Sequence, residues 1–117
     1  MIDARGPYRG GALFVGVSGL LHFIAPAVTG FAADTLFLIP VGALYLLIAY
    51  VLLRGSRLMA YIAFLLMMLG SCFAIASIWT PPAAFGWAMA GIAVADWLAA
   101  IALFVALWRN KAAMAEV

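Results

Sequence analysis

Four long apolar stretches dominate this sequence, and each has about the length that a helix needs to cross a bilayer. They cover residues 10–31, 36–53, 58–79 and 84–108. A transmembrane helix needs roughly 20 mostly apolar residues to cross about 30 Å of hydrocarbon. With 70% hydrophobic and 9% charged residues, the chain is far more apolar than soluble domains, of which about 25% is charged. We therefore predict an all-α membrane protein with one transmembrane domain over residues 1–117.

The connections between these four stretches are short. They cover residues 32–35, 54–57 and 80–83. Because short connections make sequential helices antiparallel neighbours, the sequence predicts a four-helix transmembrane bundle of up-down topology. In such a bundle the first and fourth spans close the ring and touch each other.

The basic residues fall at three places that an up-down bundle brings to one side of the membrane. The two remaining turns carry no lysine or arginine, and their only charged residue is Asp34. By the positive-inside rule, both termini are expected to be cytoplasmic in a multi-pass protein of the bacterial inner membrane. The expected partners are the lipid bilayer and other membrane-protein subunits or copies of this chain, with no nucleic acid. The six basic residues are Arg5, Arg9, Arg54, Arg57, Arg109 and Lys111.

Two ionisable residues, His22 and Asp96, lie deep within predicted spans. Counting from the span ends places both near the membrane midplane, on the first and fourth spans. A charged Asp at the centre of a span is unfavourable by about 2.5–3.5 kcal/mol on insertion scales. We therefore expect Asp96 to be protonated or turned into the bundle. A hydrogen bond to His22, at similar depth, is the contact expected between them.

Three further residues are candidates for the same region. Pro26 follows His22 by four positions, and a proline donates no backbone hydrogen bond, so a helix kink is expected there. Ser71 is expected at mid-depth, within hydrogen-bonding reach of Asp96 or of Tyr45 on the second span. Two interpretations of these polar residues stay open. They form either a ligand-binding or proton-relay site, or a structural clamp that fixes the register of the helices.

No cofactor or metal site is predicted from these residues. A haem held by His22 needs a second axial ligand, either from another copy of the chain or from one of the nearby methionines. These residues give no support for a quinone or haem contact, which stays an open alternative. The single cysteine, Cys72, excludes an internal disulfide, and we expect its thiol to be buried. The methionines are Met67, Met68 and Met89.

One short segment resembles a known family. Residues 19–26, GLLHFIAP, resemble the G-x-x-H-F-x-x-P pattern in the first helix of DoxX-like proteins, which are small four-span membrane proteins of bacteria. Residues 42–45 and the basic turn over residues 54–60 resemble the second span and turn of the same family. The resemblance implies a redox-associated membrane subunit near quinone, with His22 and Pro26 as functional candidates.

Three functions are consistent with these observations. The first is a non-catalytic accessory subunit, or DoxX-like component, of a membrane redox or energy-converting complex, and it is the function we expect. The second is a small oligomeric proton-coupled transporter that uses Asp96. The third is an enzyme that uses His22 and Asp96 as acid and base on a quinone-like, lipid-soluble substrate.

Overall fold

The computed structural model describes residues 6–109, without the side chain of Asp34, and this part of the chain contains helices and no strand. The observed architecture is therefore all-α with four main helices, as predicted. Short 3-10 turns precede α1 and α2, at Gly6–Tyr8 and Ala33–Thr35. The main helices are α1 (Arg9–Val28), α2 (Leu38–Leu53), α3 (Arg57–Ala76) and α4 (Ala83–Arg109).

The helices form an antiparallel bundle that is not evenly closed. Helix α1 packs against both α2 and α4, and α4 packs against α3, whereas α2 and α3 contact each other only sparsely. The first and fourth helices are thus neighbours. Helices α1 and α2 approach each other closely at two glycines, since a methyl group on Gly42 would lie 2.7 Å from the carbonyl oxygen of Gly19. Small residues allow such backbone contact between helices.

The interior of the bundle combines alanines and a few polar residues with large apolar side chains such as Leu52, Met67 and Leu103, and its surface is apolar. Buried positions of α3 recur every three to four residues, which is one face of a helix. Cys72 lies next to the buried Ser71 and points to another face, so its thiol is exposed and the expectation of a buried thiol is wrong. Large leucines point outward, as at Leu13 and Leu69, which are 63% and 68% exposed.

Three of the four helices are long and apolar enough to cross a membrane. Helices α1 and α3 have 20 residues each, which is about 30 Å at 1.5 Å per residue. Helix α2 is also apolar but has only 16 residues, or about 24 Å. Because α2 is shorter than its neighbours, only three helices are present over part of the length of the bundle.

The described arginines collect at one end of the bundle, here called the basic end. Arg9 and Arg57 begin α1 and α3, while Arg109 ends α4 and Arg54 follows the last residue of α2. Arg5 and Lys111, which belong to the same predicted clusters, lie outside the described residues. The opposite end, formed by residues 29–37 and 77–82, is here called the proline end.

Helix α1 ends earlier than predicted because its last turn closes on Pro26. The backbone N–H of Phe31 donates to the Pro26 carbonyl at 2.8 Å, and that of Gly30 donates to Ala27 at 3.1 Å. This pair of bonds is a Schellman motif, which needs a left-handed residue after the helix. Gly30 adopts it at φ 67°, and Phe31 follows at φ 61°. The chain then turns through residues 32–37 before α2 begins, which shortens α2 at the proline end.

Candidate functional site

Each of the four helices contributes buried polar side chains to one region, here called the polar cluster. Its members are Ser18 and His22 on α1, Tyr45 on α2, Ser71 on α3 and Asp96 on α4; none is more than 5% exposed. Four of them are candidates from the sequence. Ser18 is the one member that is not a candidate from the sequence. It could have been found from its position four residues before His22, which places it on the same helix face.

The histidine is oriented by its own helix. Nδ1 of His22 lies 2.6 Å from the carbonyl oxygen of Ser18. Because a carbonyl oxygen only accepts hydrogen bonds, Nδ1 carries the proton and donates it. The imidazole ring packs against Tyr45, with 4.7 Å between ring centroids and 60° between ring planes. The approach of α1 and α2 at Gly42 brings these rings together, since a methyl there would lie 2.9 Å from Cβ of His22.

Asp96 is fully buried, and its carboxyl group is without a hydrogen bond among the described residues. The Ser18 hydroxyl interacts with this carboxyl group, but the two groups do not reach hydrogen-bond geometry, and neither has another partner among the described residues. The bond expected between His22 and Asp96 is therefore not formed. The donor nitrogen of His22 is instead engaged by its own helix.

Gly70 on α3 makes room for two polar groups. A methyl group added there would lie 2.7 Å from Oδ2 of Asp96 and 2.8 Å from the hydroxyl oxygen of Tyr45. No larger residue fits without displacing one of these groups. The sequence did not single out Gly70 for this role, because a glycine in an apolar span gives no signal of what lies opposite.

Ser71 and Pro26 lie beside the carboxyl and imidazole groups without bonding to them. The hydroxyl of Ser71 donates to the carbonyl oxygen of Ala93 at 3.5 Å, and not to Asp96 or Tyr45 as expected. Ala93 precedes Asp96 by about one turn, so this bond joins α3 to α4 at the level of the cluster. Pro26 is buried one turn beyond His22, in the last turn of α1.

A cleft between α2 and α3 leads from the proline end to the polar cluster. Its inner part is a cavity of about 150 Å³, lined by His22, Tyr45 and Gly70 among apolar residues. Its outer part is a cavity of about 450 Å³ at the proline end. Phe37 and Phe73, which line both parts, pack edge to face with 6.3 Å between ring centroids. The two parts are adjacent cavities, here together called the α2–α3 cleft, because four lining residues are common to both. These are Phe37, Leu38, Phe73 and Met89.

The cleft differs in polarity along its length. Threonine and serine side chains line the outer mouth, where the Thr29 and Thr35 hydroxyls are 2.9 Å apart. The middle is walled by the aromatic and aliphatic residues that both cavities share, and the inner end meets the imidazole and phenol rings. A polar inner end below apolar walls is typical of sites for small, mostly apolar ligands.

The site offers little to a metal ion or haem. The described residues contain no group of three or more His, Cys, Asp or Glu side chains that could hold a metal ion. Met89 lines the inner cavity with His22, but about 150 Å³ is well below the roughly 300–1,000 Å³ of pockets for drug-sized molecules. A porphyrin, which is larger than most such molecules, does not fit there.

Comparison with known proteins gives no match to this chain, whether with family models, curated proteins or solved structures. The resemblance of residues 19–26 to DoxX-like proteins therefore stays a prediction, and the function is inferred from the geometry of the cleft and the polar cluster.

Proposed function

We propose that this chain is a multi-pass protein of the bacterial cytoplasmic membrane, with four spanning helices and both termini in the cytoplasm. The apolar surface of the bundle and the length of three helices support insertion. The collection of arginines at one end supports the orientation, by the positive-inside rule. Exposed tryptophans near both ends fit the two interfacial belts. These are Trp79, Trp87 and Trp108.

The function proposed for it is binding of a quinone-like, lipid-soluble ligand as a non-catalytic component of a membrane redox complex. The observation that carries this proposal is the α2–α3 cleft, which has apolar walls and ends at His22 and Tyr45. The apolar walls suit a hydrocarbon tail, and the two polar rings suit a small polar head group. The outer cavity, at about 450 Å³, lies within the range of small-molecule pockets.

The size of the inner cavity favours a single ring as the head group. Its volume of about 150 Å³ matches one substituted ring, and Phe37 and Phe73 are among its lining residues. Aromatic rings pack against one another favourably in offset or edge-to-face arrangements. A benzoquinone-type ring at the inner end, with its tail along the apolar walls that both cavities share, matches this shape.

The experiment is a mild-detergent purification of the tagged protein from its native membrane. The mass of the particle, its visible spectrum and its extracted lipids are read from the same peak. We expect a large complex that contains larger subunits and retains a quinone-type lipid. A colourless small oligomer without such a lipid would contradict the proposal.

A matched pair of variants tests whether the cleft is the binding site. Val41 lines the inner cavity, whereas Leu44 on the same helix is 47% exposed on the bundle surface. Val41→Trp should fill the cleft and abolish lipid retention, and Leu44→Trp should leave it unchanged. Equal retention by both variants would place the lipid elsewhere.

A second candidate function is proton-coupled transport, and it is favoured by one observation at Asp96. A fully buried carboxyl group without a partner among the described residues resembles the isolated carboxyls that mark proton paths in membranes. In proteoliposomes, Asp96→Asn should then insert and fold but lose proton-coupled flux. Unchanged flux would remove this candidate and leave the ligand-binding proposal untouched.

A further inference from the structure

The ring nitrogens of His22 have different roles. Nδ1 donates its proton to the Ser18 carbonyl at 2.6 Å, and a neutral imidazole carries only one ring proton. Nε2 therefore holds a lone pair and acts as an acceptor. In a neutral histidine the hydrogen bond made by one nitrogen fixes the role of the other.

Nε2 is the ring nitrogen left for a ligand. The described residues provide it with no hydrogen-bond partner, and the atom keeps some accessible surface. The same holds for the hydroxyl of Tyr45, whose ring packs on the imidazole. Both side chains line the inner cavity, so a lone-pair nitrogen and a hydroxyl are available to a ligand bound there.

This pair of groups distinguishes between two kinds of head group. A hydroxyl on the ligand can donate to Nε2 and at the same time accept from the Tyr45 hydroxyl. A carbonyl has no proton to donate, so its oxygen, which is itself an acceptor, would lie against the lone pair of Nε2. A buried acceptor without a donor is strongly unfavourable, and sites that hydrogen-bond a hydroxyl reject analogues that lack one.

From this geometry we infer that the α2–α3 cleft selects the hydroxyl-bearing, reduced form of its ligand, a lipid-soluble quinol or phenol, through Nε2 of His22. The inference rests on the proposed ligand-binding function and adds the oxidation state of the ligand to it. The hydroxyl donates to Nε2, the Tyr45 hydroxyl donates to the same ligand oxygen, and the quinone form lacks the first of these bonds.

The first test reads the tautomer without any ligand. His22 is the only histidine of the chain, so protein labelled with ¹⁵N-histidine gives one pair of ring-nitrogen signals. We expect, in detergent at neutral pH, a protonated Nδ1 and an Nε2 at the shift of a lone-pair nitrogen. A protonated Nε2 would overturn the inference whether or not a ligand binds.

The second test compares three probes with one ring under anaerobic conditions. Tetramethyl-benzoquinol, its dimethyl ether and tetramethyl-benzoquinone are titrated into the purified full-length protein by calorimetry. We expect the quinol to bind roughly tenfold or more tightly than either other probe, as expected for one buried acceptor left unpaired. Equal or tighter binding of the quinone would overturn the inference, and no binding of any probe would overturn the proposed function with it.

Two variants separate the roles of the rings. His22→Leu removes the acceptor and should abolish the preference for quinol over quinone while the quinone still binds. Tyr45→Phe keeps the acceptor, so the preference should persist with weaker binding of both forms. A quinol preference that survives His22→Leu would assign the selectivity to another group and overturn the inference. If His22→Leu fails to fold, Tyr45→Phe supplies a second readout.

Discussion

The contact between Gly19 and Gly42 predicts that one methyl group added at Gly42 would push α1 and α2 apart. In Gly42→Ala the new methyl would lie 2.7 Å from the Gly19 carbonyl oxygen and 2.9 Å from Cβ of His22. Neither atom can move by rotation of a side chain, so the two helices must shift apart. The matched control is Gly16→Ala on α1, where the nearest atom is Cβ of Ala49 at an ordinary 3.9 Å.

The magnitude follows from two terms. Replacing glycine with alanine inside a helix stabilises by about 0.5–1 kcal/mol, and both variants share this gain. Only Gly42→Ala also overpacks a close contact, which is unfavourable by about 1–3 kcal/mol. The free energy of unfolding of the two variants should therefore differ by about 1–3 kcal/mol. Since each kcal/mol shifts Tm by roughly 2–8 °C in domains of about this size, the difference amounts to several degrees.

The assay is thermal unfolding in mild detergent, followed by the circular dichroism of the helices. Gly16→Ala should unfold at or above the temperature of the unmodified protein, and Gly42→Ala several degrees below Gly16→Ala. The shift of α2 should also weaken quinol binding, because Tyr45 moves relative to His22. If both variants unfold at the same temperature, α1 and α2 are not in backbone contact, and the geometry of the inner cavity derived from that contact is wrong.

Three further predictions follow from the site and the helix ends. Asp96→Val should not lower Tm, because a buried carboxyl group without a partner among the described residues is replaced by an apolar group; a loss of several degrees would reveal a partner. In the same melting assay, Ser56→Ala should destabilise the protein by about 1 kcal/mol, because the Ser56 hydroxyl caps α3 with a bond of 3.0 Å. Ser71→Ala should have a smaller effect, because the bond of Ser71 is 3.5 Å long. The reverse order would contradict this ranking. In a protein whose exposed Cys72 is replaced by alanine, a cysteine at Ala33 should react with an impermeant reagent from the periplasmic side and one at Ser56 from the cytoplasmic side; the opposite pattern would reverse the proposed orientation.

The sequence predicted the helices of this protein well because length and apolarity are enough for that purpose. Four apolar stretches between short turns give four antiparallel helices, and the same turns bring the arginines to one end. The ends of the helices were less predictable. The first span was expected to reach residue 31, but backbone bonds to Pro26 and the left-handed Gly30 and Phe31 end α1 at Val28.

The sequence also identified the polar residues that meet inside the bundle, because ionisable and hydroxyl groups are conspicuous in apolar spans. His22, Tyr45, Ser71 and Asp96 all lie in the polar cluster. Their bonds could not be predicted in the same way. Which atoms meet depends on the rotation of each helix about its axis, and helices that are apolar nearly all round carry little periodic signal of that rotation.

What the sequence by itself determined is therefore the number, order and direction of the helices, since these follow from length, apolarity and short turns. Only the tertiary structure decided the α2–α3 cleft, the acceptor role of Nε2 on His22, and the lack of a hydrogen bond to the Asp96 carboxyl group within residues 6–109. The physical reason is close packing. Backbone contact at Gly19 and Gly42 brings α1 and α2 together, while α3 packs on α4, and the space left between α2 and α3 is set by both contacts at once.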